Sequence, residues 1–167
     1  LYLLSRSGQS YSASVRDMGS SYGAGESRAV ARSGSSLYSI THRAPIVVFE
    51  HPLSSSAPAT QAAQLQSMTD VTGLVGDNSY LYIAGRSVNG EEGIFRLPRV
   101  LLGAPMPTPE LIASVDLDLD FITPMALDAT SNPGFLYYRA TSPTQRVGAI
   151  ASPASGSNVL DIGTITN

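Results

Sequence analysis

The feature that most constrains the fold of this chain is an internal repeat. Residues 122–153 can be aligned with residues 71–98, because both segments begin with a β-branched residue followed by Thr. Each then reaches a Leu or Met two positions after the Thr, places an Asp at its seventh position (Asp77 and Asp128) and continues into a Leu-Tyr pair. Self-similarity of this kind indicates a chain built from repeated structural units.

The Leu-Tyr pair extends the repeat beyond these two segments. It occurs four times, at positions 1, 37, 81 and 136. With 17 Leu and 8 Tyr among 167 residues, chance would supply only roughly 0.8 such pairs. The excess indicates that each pair opens an equivalent segment of the chain.

Composition favours short strands and turns. A 167-residue chain with 43% hydrophobic residues is long enough for one domain with a core. Only 14% of residues are charged, while Gly and Pro together number 26 (15 and 11), which is typical of turn-rich structure. The formal charge of -3 and the absence of a basic cluster argue against a nucleic-acid partner.

Two further classes of feature are missing from the sequence. The chain has no Cys, so it forms neither disulfides nor thiolate metal sites. No apolar run approaches the ~18 residues of a membrane-spanning helix, and we therefore expect no membrane span.

Hydrophobic alternation in short segments bounded by Gly, Pro and Asn predicts strands and almost no helix. The dipeptide Asn89-Gly90 predicts a hairpin turn. Residues 54–69 have helical propensity, but we predict a loop and a strand there, because a strand pattern occupies the corresponding place after the next hairpin. The predicted strands lie near residues 2–5, 37–41, 46–50, 80–85, 93–97, 111–120, 135–140 and 147–151.

The repeat divides the chain into units at about residues 1–27, 28–70, 71–121 and 122–164. Unit starts at positions 71, 122 and 165 are 51 and then 43 residues apart. About four short strands at this period match one blade of a β-propeller. We therefore expect an all-β fold, a β-propeller-like array of about three to four four-stranded antiparallel blades. The alternative is a self-contained β-sandwich.

The phrase ITPMALDATSNPGFLYYRA resembles the NHL, YVTN and TolB-like blades of bacterial propellers. In those families a Pro and an aliphatic-Asp pair precede an Asn-containing turn and a Leu-Tyr strand. The resemblance is clearest over residues 71–98 and 122–153 and is weaker over residues 37–53. It implies a propeller fold. WD-type and sialidase-type propellers are disfavoured, because the chain has no Trp.

We expect that this chain does not close into a propeller by itself. Propellers usually need about four to eight blades, whereas the sequence contains two clear units, a degraded unit and a partial unit at its start. An open array would leave apolar side chains such as Ile46, Val48, Ile94 and Ile150 on uncovered faces. Further blades of the same chain, or copies of it, would have to cover them.

A possible metal site is formed by three aspartates. Asp116, Asp118 and Asp120 alternate with apolar residues, which predicts three carboxylates on one face of a strand. Oxygen ligands at this density could hold Ca²⁺. A solvated strand face that discourages edge-to-edge pairing explains the same pattern without a metal.

The other candidate residues have structural interpretations. His42 and His51 could supply a general base, but they flank one hairpin at opposite ends, and we interpret both as surface residues. Asp77 and Asp128 are interpreted as Asx-type turns that close the inner hairpin of each unit. The tyrosines of the four Leu-Tyr pairs are interpreted as core between sheets, namely Tyr2, Tyr38, Tyr82 and Tyr137.

No spacing of nucleophile and base can be identified in the sequence. We therefore expect a non-enzymatic binding or assembly module, a propeller segment of a bacterial surface or extracellular protein, with an extracellular or periplasmic location. The alternatives are a fragment of a propeller hydrolase or lactonase and a self-assembling structural subunit. The expected partners are another protein, further blades or a second copy of the chain, and no cofactor is expected apart from the Ca²⁺ considered above.

Overall fold

A computed structural model describes residues 2–7, 10–15, 27–53, 58–128, 130, 134–140, 145–154 and 158–164. Within these ranges the chain is all-β apart from one 3₁₀ turn at Arg99–Leu101. The described part contains no helix long and apolar enough to cross a membrane. The strands are β1 Tyr2–Ser7, β2 Ser10–Val15, β3 Ser27–Ser33, β4 Ser36–Thr41, β5 Val47–Pro52, β6 Thr60–Gln64, β7 Met68–Gly76, β8 Tyr80–Ser87, β9 Glu92–Pro98, β10 Glu110–Ser114, β11 Met125–Asp128, β12 Phe135–Ala140, β13 Arg146–Ala151 and β14 Asn158–Thr164.

The strands form three four-stranded antiparallel sheets and one two-stranded hairpin, β1–β2. Each four-stranded sheet is a meander in which strands pair in chain order: β3 to β6 form the first sheet, β7 to β10 the second and β11 to β14 the third. Tight turns allow this order. Gly90, in the turn between β8 and β9, has a φ of +84°, which explains why Gly follows Asn there.

Most predicted strands are confirmed, including a strand within residues 54–69, where β6 occupies Thr60–Gln64. One prediction is wrong in its extent. The strand expected at residues 111–120 ends at Ser114. Beyond it, the amides of Val115 and Leu117 bind the backbone oxygen and the carboxylate of Glu92, at 3.2 and 3.3 Å. The Leu117 amide binds a side chain and not a backbone carbonyl, so the ladder does not continue there.

The second sheet lies between the other two, and both of its faces are buried. Four consecutive residues of β8 are fully buried, namely Leu81, Tyr82, Ile83 and Ala84. Leu81 and Ile83 pack into a core cluster with the first sheet, whereas Tyr82 and Ala84 pack into a second cluster with the third sheet. A strand covered on both faces has a continuous apolar sequence instead of an alternating one.

The first strands of the three sheets lie side by side, with β7 against both β3 and β11. The repeat-equivalent residues Thr72 and Thr123 form part of this contact. Their hydroxyl oxygens are 2.7 Å apart, and the Thr123 amide donates to the Thr72 carbonyl at 2.9 Å. Both side chains are buried, so the repeated Thr satisfies hydrogen bonds between successive sheets.

The predicted Asx turns are confirmed. Asp77 Oδ1 accepts the amides of Ser79 and Tyr80 at 2.6 and 2.7 Å, and Asp128 Oδ1 accepts the Thr130 amide at 2.9 Å. The second oxygen of Asp77 accepts the hydroxyl of Tyr82 at 2.9 Å. Burial, and then the Asp77 carboxylate, raises the pKa of Tyr82, so the phenol remains a donor.

The tyrosine prediction is correct for two residues and wrong for a third. Tyr38 and Tyr82 are buried in the core, whereas Tyr137 is 36% exposed. Tyr137 occupies the position of Tyr82 in the repeat, on the face of the third sheet that points away from the second. The neighbouring Tyr138 points toward the second sheet and is buried. The side chain of Tyr2 lies outside the described residues.

The same face of the third sheet carries other apolar groups. Tyr137 pairs with Ala126 and Ala149, and Ala149 pairs with Leu160. Leu160 is 47% exposed, and the Phe135 ring stacks on Tyr137 at 6.0 Å. We call Ala126, Phe135, Tyr137 and Leu160 the outer face. The expectation that Ile46, Val48, Ile94 and Ile150 would be uncovered is wrong, because these side chains lie between sheets and are buried.

Two arginines that the sequence analysis did not single out join neighbouring sheets. Arg99 lies over the ring of Tyr38 at 5.4 Å and donates to its hydroxyl at 3.0 Å, which links the second sheet to the first. Arg96 lies over Tyr80 at 5.2 Å and donates to the Pro153 carbonyl at 3.1 Å, which links the second sheet to the third. These cation–π contacts add directional attraction to the apolar packing.

Candidate functional site

An open pocket of about 680 Å³ lies at the edge of the third sheet where β11 begins, β12 ends and β13 begins. It combines carboxylate, guanidinium, amide and apolar side chains. The lining residues are Asp118, Asp120, Phe121, Ile122, Pro124, Arg139 and Gln145.

The connection from β10 to β11 forms most of the pocket and is fixed at both ends. At its start, the buried side chain of Leu117 packs in the core between the second and third sheets. At its end, Thr123 is bound to Thr72 as described above. Between these anchors, the Phe121 amide donates to the Asp118 carbonyl at 3.2 Å. The resulting turn presents the side chains of Asp118, Asp120, Phe121 and Ile122 to the pocket, whereas Leu119 packs against the core.

The structure separates the three aspartates that the sequence placed on one strand face. Asp118 and Asp120 line the pocket, whereas Asp116 is exposed and does not line it. The premise of a common face is wrong because the strand ends at Ser114. Asp118 instead accepts the Asp120 amide at 3.2 Å, a local bond that competes with strand pairing.

The described part of the chain contains no group of three or more His, Cys, Asp or Glu side chains arranged to hold a metal ion. Arg139 lines the same pocket as Asp118 and Asp120. A fixed positive charge beside two carboxylates opposes the binding of a divalent cation.

We predict that a chelator leaves the melting temperature of the chain unchanged. The reason is that Asp116, Asp118 and Asp120 do not form one ligand set, whereas an ion bound only to the folded state would raise its stability as the ion concentration exceeds the Kd. Thermal unfolding with calcium chloride and with EDTA tests this prediction. The triple Asn variant is the matched control, and a calcium-dependent rise that this variant loses would contradict it.

One described ion pair lies at the pocket. Arg43 and Asp120 approach to 3.9 Å, and both side chains are largely exposed, so this pair contributes little stability. No described residue forms an ion pair with Arg139, whose Nε is buried without a hydrogen-bond partner among the described groups. The backbone amide of Arg139 donates a hydrogen bond to the Pro124 carbonyl at 3.1 Å.

Neither histidine lies at the pocket. His42 Nδ1 is 2.9 Å from the Val71 carbonyl oxygen, where it helps to join the first and second sheets. His51 is buried, and its Nε2 is 2.9 Å from the Ser39 hydroxyl. The interpretation of both as surface residues is therefore wrong for His51. Because His42 follows β4 and His51 pairs with Leu37 near the other end of that strand, the two form no common site.

No protein-family model, curated protein or solved structure gave a significant match to this chain. The role of the candidate site must therefore be inferred from its own residues and geometry.

Proposed function

We propose that this chain is a non-enzymatic binding and assembly module whose three sheets are successive blades of a β-propeller-like array. The adjoining first strands support this arrangement, because consecutive meanders around an axis bring their first strands together. The hydrogen bonds between Thr72 and Thr123 support it further, since they join equivalent residues of two successive units. We also propose an extracellular or periplasmic location, in keeping with the resemblance to bacterial propeller blades.

One observation carries the assembly part of the proposal. Tyr82 and Tyr137 hold the same place in their units, yet Tyr82 is fully buried by the third sheet and Tyr137 is 36% exposed. The surroundings of Tyr82 indicate what fits such a face. The third sheet covers Tyr82 with the side chains of Leu136, Tyr138 and Ile150, so the inner side of a sheet fits it.

The occupant that we propose for the outer face is a second copy of this chain. The packing between the second and third sheets is an example of how one sheet of this chain covers another, with Tyr82 enclosed by apolar residues. A row of partly exposed apolar side chains on a sheet face favours association.

Charge on the outer face should prevent this association. We predict that replacing Tyr137 and Leu160 together with Lys weakens self-association by at least about tenfold, because an unpaired charge is costly in an apolar interface. Sedimentation velocity over a concentration series measures the effect. Val100→Lys is the matched control, since Val100 is 90% exposed and lies in the 3₁₀ turn away from the outer face. Equal association of the wild type and the double variant would contradict the proposal.

A further inference from the structure

The last strands of the three four-stranded sheets, β6, β10 and β14, lie at sheet edges, and each pairs with one other described strand. The backbone N–H and C=O groups along the other side of such an edge strand can bind a further strand. Proteins usually discourage this pairing with charged or polar side chains at the edge. The side chains of the three edge strands therefore indicate which edge is open to a partner.

A bulge in each edge strand aligns the three strands with one another. The extra residue of the bulge is Ala62 in β6, Ile112 in β10 and Ile162 in β14. Two positions before it, β6 has the exposed Thr60 and β10 has the exposed Glu110. β14 has Leu160 at this position, and Leu160 is 47% exposed. The third sheet therefore lacks the polar edge residue that the other two sheets have.

Apolar side chains lie on both faces of β14. Val159 pairs with the buried Ile150 and so lies on the face toward the second sheet, whereas Leu160 lies on the outer face. Val159 and Ile162 are 48% and 55% exposed. An edge strand that exposes aliphatic groups in this way is a site of strand pairing. Of the three edges, β14 therefore offers a further strand both backbone hydrogen bonds and apolar contacts.

A second copy of β14 fits this edge. Two identical strands related by a two-fold axis perpendicular to the sheet run antiparallel, as neighbouring strands of the third sheet already do. β14 contains a single charged residue, Asp161. When Leu160 of one copy is opposite Leu160 of the other, Asp161 is opposite Val159. The two like charges are then not opposite each other, where they would oppose pairing.

We propose that β14 pairs with β14 of a second copy, so that two four-stranded sheets join into one antiparallel sheet of eight strands. The inference rests on the proposed assembly role and adds a contact of a different kind to it. Packing on the outer face covers Tyr137 with the side chains of another sheet, whereas pairing at the edge binds backbone groups of β14. The two contacts can therefore be tested separately.

The test is amide hydrogen exchange of the native chain, measured residue by residue with NMR over a concentration series. We expect the β14 amides that point away from β13 to exchange at least about tenfold more slowly at high than at low concentration, because pairing protects them. The β14 amides bonded to β13 are the internal reference and should be protected throughout. Self-association in sedimentation without this added protection would overturn edge pairing and leave the outer-face contact standing.

Variants test the register of the two strands. Val159→Asp places like charges opposite each other twice in the dimer, so it should weaken the pairing at least about fivefold. Val159→Lys is the matched variant and should not weaken it, because the new charge is opposite Asp161. Gln61→Lys, at the edge of β6, should change nothing. Equal weakening by the two Val159 variants would refute the register.

A variant of the outer face separates the two contacts. Tyr137→Lys should weaken packing on the outer face and leave the concentration-dependent protection of β14 intact, because Tyr137 lies on β12 and not at the edge. Loss of this protection in Tyr137→Lys, together with its survival in Val159→Asp, would refute pairing at β14.

Discussion

Replacing Tyr82 with Ala is expected to lower the free energy of unfolding by about 3–5 kcal/mol, the usual loss for a buried aromatic side chain. Tyr82 is fully enclosed between the second and third sheets, and its hydroxyl donates to Asp77 at 2.9 Å. Tyr137→Ala, at the equivalent place in the next unit, should cost less than about 1 kcal/mol in the dilute chain, because part of this side chain already contacts solvent.

Chemical denaturation at low protein concentration measures both losses without a contribution from self-association. Tyr82→Phe is a useful control, since it keeps the ring and removes only the hydrogen bond to Asp77, at a cost of about 1 kcal/mol. If the Tyr82→Ala and Tyr137→Ala variants lost equal stability, the assignment of the two faces would be wrong.

The second large effect is expected at Gly73, where the first strands of the second and third sheets meet. A Cβ atom at this position would lie 2.7 Å from the Thr123 carbonyl oxygen and 2.9 Å from the sulfur of Met125. Since the nearer atom belongs to the backbone, Gly73→Ala must push β11 away from β7. We expect a loss of about 2–3 kcal/mol, within the range for overpacked sites.

Gly90→Ala is the comparison for this variant. A Cβ at Gly90 would meet nothing within 4 Å, although the φ of +84° is unfavourable for Ala. The cost there should be about 1 kcal/mol, from the backbone conformation alone. Equal or greater stability of the Gly73→Ala variant relative to the wild type would show that β7 and β11 do not approach as closely as described.

The sequence predicted the strands because local signals determine them. Asn89-Gly90 specifies a turn by its conformational preference, and Asp77 and Asp128 form the predicted Asx turns through side-chain bonds to amides two residues away. Such short-range bonds depend little on distant parts of the chain. The all-β class and the four-stranded meanders follow from them.

The errors arose where a distant residue decides the outcome. Residues 116–120 alternate as a strand does, but Glu92 on another strand takes the amides of Val115 and Leu117. Tyr82 and Tyr137 hold the same place in the repeat, and their burial differs because the third sheet packs against Tyr82, whereas Tyr137 lies on the far side of the third sheet. The pocket was missed for the same reason, since Arg139 and Gln145 are remote in sequence from Asp118.

The central claim is that the sheets are members of a propeller-like array whose outer face needs a further sheet. The mass of the intact native chain tests this claim most directly. Multi-angle light scattering with a hydrophobic dye measures both association and exposed apolar surface. We predict a mass of at least two chains at high concentration, with dye binding that increases as dilution separates the copies. A folded monomer at all concentrations that binds no dye would contradict the account and favour a self-contained β domain.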